Sequence, residues 1–345
     1  PALPPIDKVE ILPNPSSKYD ALGGSVINIK LLKNRKSGFS GSVIANNQTG
    51  KYASFLPGMT LNYKNKSVNL YSSYNYENSK QYYKNNSYQI LSPISQLIQD
   101  ENGDVSKNNH NYRIGVDYDL NKRNTIGFLF KGMNNSSALS GNNNINLLNS
   151  GNSSLSALEN DSKAKIFNPA ANLYYKTVLD SLQRTMTINL DYFEYNKNVD
   201  ENFTTKYFTN NAPDVLLRDF ANGNNRVYSA ALDFEYPSNI GNFEFGLKST
   251  NTKSDNDINW ENLVNGAWTN DLSKSNHFIY KENINAGYAS YDKALGDNWQ
   301  ITLGIRGEHT HSDGRLIAGE QNIRNYFNLF PYFDYLLRNP VQNCS

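Results

Sequence analysis

The sequence predicts an all-β chain: an antiparallel transmembrane β-barrel, partial at about twelve strands, preceded by a short β-hairpin. Three observations carry this. Apolar residues recur at every second position in segment after segment. The composition is polar on average but rich in aromatic residues. Short turns alternate with long polar connections.

Of 345 residues, 38% are hydrophobic and the mean hydropathy is −0.65, low for a chain of this length with a conventional buried core. The 24 Tyr and 16 Phe are nevertheless too many for disorder. A membrane barrel reconciles the two, because lipid-facing and lumen-facing residues alternate and average out. No apolar run approaches the length of a transmembrane helix, which leaves spanning strands of about ten residues open. The 33 basic and 32 acidic residues are well mixed, with no basic stripe of the kind that binds nucleic acid. The single Cys344 excludes an internal disulfide and a cysteine metal cluster.

The first element is a hairpin. Lys8–Leu12 and Ser25–Leu32 read as strands, joined through Asn14-Pro15 and Ser16-Ser17, which start turns, and Gly23-Gly24, which permits positive φ or close backbone approach. A polar linker, Lys33–Ser37, follows. From Gly38 onward the period is two: Phe39–Ala45, Met59–Tyr63 and Ser67–Tyr76, then Tyr112, Ile114, Val116, Tyr118 and Leu120 on one face with Arg113, Gly115, Asp117 and Asp119 on the other. The same face takes Ile126, Phe128 and Phe130; Ala171, Leu173 and Tyr175; Met186, Ile188, Leu190 and Tyr192; Tyr228, Ala230, Leu232, Phe234 and Tyr236; and Phe243, Phe245 and Leu247. Ile284, Ala286 and Tyr288 are assigned to it as well, followed by Trp299, Ile301, Leu303 and Ile305. The opposite face carries Asn172, Lys176, Asn189, Asp191, Asp233, Glu235, Glu244, Lys248, Arg306 and Glu308.

Short turns are expected at Lys64–Lys66, Asn121–Asn124, Pro237–Gly241 and Leu295–Asn298, and long loops near 77–109, 133–163, 196–225 and 249–281. A soluble domain rarely holds so many structureless loops of that length. Ser92–Gln99 reads as a capped short helix inside the first loop. Tyr63, Tyr118, Tyr175 and Tyr236 each stand where a strand enters a short turn, the place of an interfacial aromatic girdle.

The run Ile6–Lys30 resembles the end of the plug domain of TonB-dependent outer-membrane receptors, in the form common in Bacteroidota. The residues that carry the likeness are Asn14, Pro15, Tyr19, Asp20, Gly23, Gly24 and Asn28, and the run is one residue shorter than the family's pattern between Ala21 and Ile27. Gly38-Phe39-Ser40-Gly41-Ser42 is similar to the start of that family's barrel, Leu303–Thr310 to a mid-barrel strand, and Asn328-Leu329-Phe330-Pro331 to the strand after it. The resemblance implies residues 1–36 as the end of the plug and 37–345 as the N-terminal half of a barrel that reaches roughly 22 strands in plugged transporters. It further implies energised uptake of a scarce or bulky ligand across the outer membrane of a Gram-negative bacterium. The partners would be outer-membrane lipid, the unidentified ligand and TonB, the last through a box upstream of Pro1. The residues alone leave other readings open: a smaller closed barrel of about twelve strands, a passive porin-like barrel, or a soluble extracellular β-protein for adhesion or glycan binding. The last predicts Phe128, Phe130, Phe243 and Phe245 in a dry core.

No catalytic motif, cofactor fingerprint or metal set stands out, so no enzyme is expected. His309 and His311 share a strand face but lack an identifiable third ligand. Asp117/Asp119 and Asp233/Glu235 are period-two carboxylate pairs without a neighbouring His.

Overall fold

A computed structural model describes residues 6–12, 17–18, 26–31, 37–209, 212–296, 299–317 and 319–337. Two strands, β1 (Ile6–Leu12) and β2 (Val26–Leu31), pair antiparallel, with Leu12 opposite Val26 and Val9 opposite Ile29. The two strands read from the sequence thus pair with each other. Of the residues that carry the plug resemblance, Asn28 lies in β2 opposite Glu10, while Asn14, Pro15, Tyr19, Asp20, Gly23 and Gly24 fall outside the described residues.

The remainder is one antiparallel meander. In chain order its strands are β3 (Gly38–Thr49), β4 (Ala53–Lys64), β5 (Val68–Ser92), β6 (Ser95–Asp119), β7 (Asn124–Asn149), β8 (Asn152–Val178), β9 (Thr185–Tyr207), β10 (Val215–Ser238), β11 (Gly241–Val264), β12 (Ala267–Asn270), β13 (Asn276–Leu295), β14 (Trp299–Leu316) and β15 (Gln321–Leu337). Each pairs with its chain neighbour, except that β13 pairs with β11 and the short β12 lies beside the end of β11. The described residues hold no helix. The sheet is an open path with β3 and β15 at its edges, so a closed twelve-strand barrel is not the arrangement observed.

The polarity of the two faces is inverted relative to a soluble domain. Phe128 is 43% exposed, Leu190 47% and Leu247 63%, whereas Arg306 on the other face is 2% exposed. Apolar side chains turned out and polar ones turned in is the pattern of a wall between lipid and a wet lumen. The dry-core alternative fails on Phe128 and on Phe245, which is 42% exposed.

Aromatic pairs bound the apolar band. Tyr112 stacks on Phe130 at 5.7 Å and Tyr192 meets Tyr228 at 5.2 Å at one height, and Phe243 meets Tyr291 at 4.9 Å at the other. Tyr63, Tyr118, Tyr175 and Tyr236 lie at the second height beside the short turns, as the girdle reading expects. Those turns are closed by side chains that imitate backbone. Asn65 Oδ1 accepts from the Ser67 and Val68 N–H, Asn121 Oδ1 from Arg123 and Asn124, and Asp180 Oδ1 from Leu182 and Arg184.

One face assignment is corrected by register. Phe243 lies opposite Tyr291 and Phe245 opposite Ala289, so Ile284, Ala286 and Tyr288 point inward. Tyr288 and Ala286 are each 6% exposed. The run from Asn283 to Tyr291 has an aromatic and small residues on both faces, so periodicity cannot choose between them.

The four long loops are also corrected: among the described residues most of their length is strand. β5, β6, β7 and β8 run 25, 25, 26 and 27 residues, where crossing a bilayer takes about ten. The surplus continues the same ladders, with one register shift between Ile90 and Ser92 of β5, to two-residue turns such as Ser150-Gly151 and Asn265-Gly266, whose positive φ values are those of a tight hairpin. The helix expected from Ser92 is instead the β5–β6 turn, Pro93-Ile94, followed directly by β6. Above the apolar band both faces meet water, so Asn and Ser occupy both and the period-two signal vanishes while the hydrogen-bond ladder persists.

One acid in these extensions is buried. Asp219, nine residues beyond Tyr228 on β10 and so roughly 30 Å along the strand, is 5% exposed and lies opposite Glu201 and Trp260. The rings of Phe203 and Trp260, from β9 and β11, stack at 5.7 Å across β10. Burial, reinforced by Glu201, pushes the Asp219 carboxyl up to about 6.

Two predictions follow from these faces. Leu190→Arg, in the middle of the apolar band, costs about 2–4 kcal/mol in lipid-bilayer refolding titrations, whereas Asn198→Arg on the same strand and face stays within about 0.5 kcal/mol. Because the folded Asp219 binds its proton more tightly than the unfolded chain, its contribution to stability is complete at acid pH and lost as pH rises toward 6. Amide exchange at the outer ends of β9–β11 therefore quickens from pH 4 to pH 7 beyond its intrinsic rise, and Asp219→Asn abolishes that excess.

Candidate functional site: the inner wall

The inner face is built from alternating residues whose outward neighbours are the apolar band, so position along each strand sets its chemistry. On it a cross-strand device recurs. Asp117, Gly127 and Tyr174 lie opposite one another on β6, β7 and β8, and Asp233, Gly246 and Tyr288 do the same on β10, β11 and β13. In each rung the tyrosine ring crosses above the glycine and its hydroxyl donates to the aspartate. Tyr174 Oη to Asp117 Oδ1 is 3.0 Å, and Tyr288 Oη donates to Asp233 Oδ1. Glycine is required because a Cβ on Gly246 would lie 2.6 Å from the Tyr288 hydroxyl.

The carboxylate pairs that the sequence singles out are thereby assigned structural partners. Asp117 also accepts from Asn69 Nδ2, Asp119 accepts from Thr125 Oγ1, and Glu235 accepts from Thr185 Oγ1. His309 and His311 lie on the outward face of β14 opposite Asn285 and Asn283, and among the described residues no group of His, Cys, Asp and Glu forms a metal site.

The second feature is where the connection between β1 and β2 meets this wall. Ser17 is 6% exposed and lies against Gly304 of β14, which has no side chain to exclude it. The Ser17 carbonyl accepts from Arg306 Nη1 at 3.4 Å, and Arg306 Nε donates to Glu308 Oε1 at 2.6 Å. Lys18 Nζ reaches Glu235 Oε1 at 3.5 Å. The hairpin's tip is thus held on the inner wall by one buried guanidinium and one ion pair, with a glycine providing the seat. Arg306 and Glu235 were legible as inward polar residues; Gly304 was not, because the need for a missing side chain depends on what lies opposite.

The rungs are tested by a double-mutant cycle. Tyr288→Phe, which removes a hydrogen bond to a charged acceptor, costs about 1.5–3 kcal/mol, and Gly246→Ala, which displaces the same ring, costs a comparable amount. The double variant loses less than the sum in the same refolding titration.

One family match agrees with this inverted wall. Residues 177–339 match the outer membrane protein beta-barrel family. No curated protein sequence is similar to the chain. Among solved structures, the chain is similar to the outer membrane protease OmpT from Escherichia coli at 12% identity, covering 79% of this chain and 97% of that one, with a TM-score of 0.26. It is similar to the siderophore receptor PirA from Pseudomonas aeruginosa at 9% identity, covering 96% and 87%, with a TM-score of 0.19. The alcaligin outer membrane receptor FauA from Bordetella pertussis matches at 8% identity over 90% and 78%, with a TM-score of 0.15. The family match and the lipid-facing band together identify an outer-membrane β-barrel protein of a Gram-negative bacterium.

Proposed function

We propose that the chain is part of a TonB-dependent outer-membrane receptor of the Bacteroidota type, serving energised uptake of a scarce or bulky ligand. In this reading residues 1–36 are the end of the plug, residues 37–345 are the N-terminal half of the barrel, and the TonB-contacting box lies upstream of Pro1. The role is binding and transport, not catalysis. The observation that carries it is the seat of Ser17 and Lys18 on the inner wall, against Gly304, Arg306 and Glu235. A hairpin paired only within itself but anchored inside the wall suits a plug, which must fill the lumen and yield when pulled. The edges at β3 and β15 favour the half-barrel assignment, since in hydrocarbon each unpaired backbone group costs several kcal/mol.

Bilayer conductance of the protein expressed from its complete coding region tests this. With residues 1–36 in place, conductance to small ions is low; Lys18→Glu raises it, and Lys18→Glu with Glu235→Lys restores the low value. TonB forms a crosslinked adduct with the protein in cells. High conductance in the unaltered protein together with no TonB adduct sinks the proposal and leaves a passive porin.

A further inference from the structure

A recess of about 410 Å³ opens on the inner wall between β5 and β9, at the height of the Tyr112–Phe130 and Tyr192–Tyr228 pairs. Its floor holds two cations. Arg113 and Lys131 lie directly opposite each other on β6 and β7, both inward and both exposed to the lumen. Like charges in directly opposite positions destabilise a sheet, so such a pair calls for a compensating anion. The protein supplies none: neither residue takes part in a salt bridge among the described residues. Inward carboxylates on the same and neighbouring strands are engaged elsewhere: Glu77 by Ser79, Asp117 by Asn69 and Tyr174, and Asp191 by Asn172 at 2.7 Å. Arg113 is positioned by the ring of Tyr71, 5.1 Å from its guanidinium carbon, which orients the head without neutralising it.

Two further features of the recess point to an occupant. Asn75, Asn111 and Asn168 line it, and their side-chain amides make no hydrogen bond among the described residues, leaving donors beside the cations. The far side is apolar: Met133, Ala170 and Phe193, with Phe193 38% exposed.

We propose that this recess is a ligand subsite for an amphiphilic oxyanion, with a phosphate or carboxylate group held between Arg113 and Lys131 and its apolar body against Met133 and Phe193. A planar guanidinium suits bidentate contact with either group, and the ammonium opposite adds a point charge. The inference goes beyond the transport proposal, because the subsite serves energised or passive passage equally.

Equilibrium dialysis of the purified full-length protein in detergent, with phenyl phosphate, benzoate, inorganic phosphate and benzyl alcohol as probes, tests it. Phenyl phosphate or benzoate binds saturably, inorganic phosphate binds more weakly, and benzyl alcohol does not bind. Whichever aromatic anion binds tighter identifies the group. Arg113→Gln and Lys131→Gln each weaken binding at least about tenfold, the effect expected from losing a charge-assisted hydrogen bond, and raised salt weakens it further. Arg113→Lys, which keeps the charge but loses the fork, retains part of the affinity and serves if Arg113→Gln does not assemble. Equal binding of the neutral alcohol, no binding of either aromatic anion, or unchanged affinity in Lys131→Gln overturns the subsite and leaves two solvated lumen cations. None of these readouts involves TonB, so failure here and failure of the transport proposal are separable.

Discussion

The structure depends on one constraint: a backbone that enters hydrocarbon must have its hydrogen bonds made within the protein. The meander from β3 to β15 meets it by pairing neighbouring strands over long registers. The same ladders, once started, extend well past the membrane as Asn- and Ser-rich strand, where solvent would have met the requirement anyway. Tight turns at both ends, closed by Asn65, Asn121 and Asp180 at one and by Ser150-Gly151 and Asn265-Gly266 at the other, keep neighbours in register.

Facing lipid with one side forces the chemistry to the other. The inner wall therefore carries buried charge and polar hydrogen bonds where a soluble domain would carry its core. Much of that polarity is structural, as the Asp–Gly–Tyr rungs show: the aspartates that resemble reactive pairs in the sequence serve to hold tyrosine rings across glycines. Where polarity is left uncompensated, at Arg113 and Lys131, a ligand has something to bind. Where it is met by a separate segment, at Arg306 and Glu235, the hairpin is anchored instead.

Legibility followed this division. Inside the apolar band, alternation such as Tyr112 to Leu120 or Met186 to Tyr192 was sufficient, because lipid on one face and water on the other impose opposite demands on successive residues. Beyond the band the demand is the same on both faces, so 77–109 and 249–281 read as loops although they are strand. Asn265-Gly266 and Ser150-Gly151 were the signals that could have revealed hairpins there. In β13, Ile284, Ala286 and Tyr288 were assigned to lipid because small residues on both faces leave the pattern ambiguous.

Composition and period alone determined an antiparallel all-β chain with one apolar and one polar face and tyrosines at its short turns, since those properties are local to each strand and repeat in each. The choice of inward face for Tyr288, the need for glycine at 246 and 304, the seat of Ser17 and the meeting of Arg113 with Lys131 all required the folded protein. Each depends on which residue of a neighbouring strand lies opposite, and register is a property of pairs that no single strand's sequence contains.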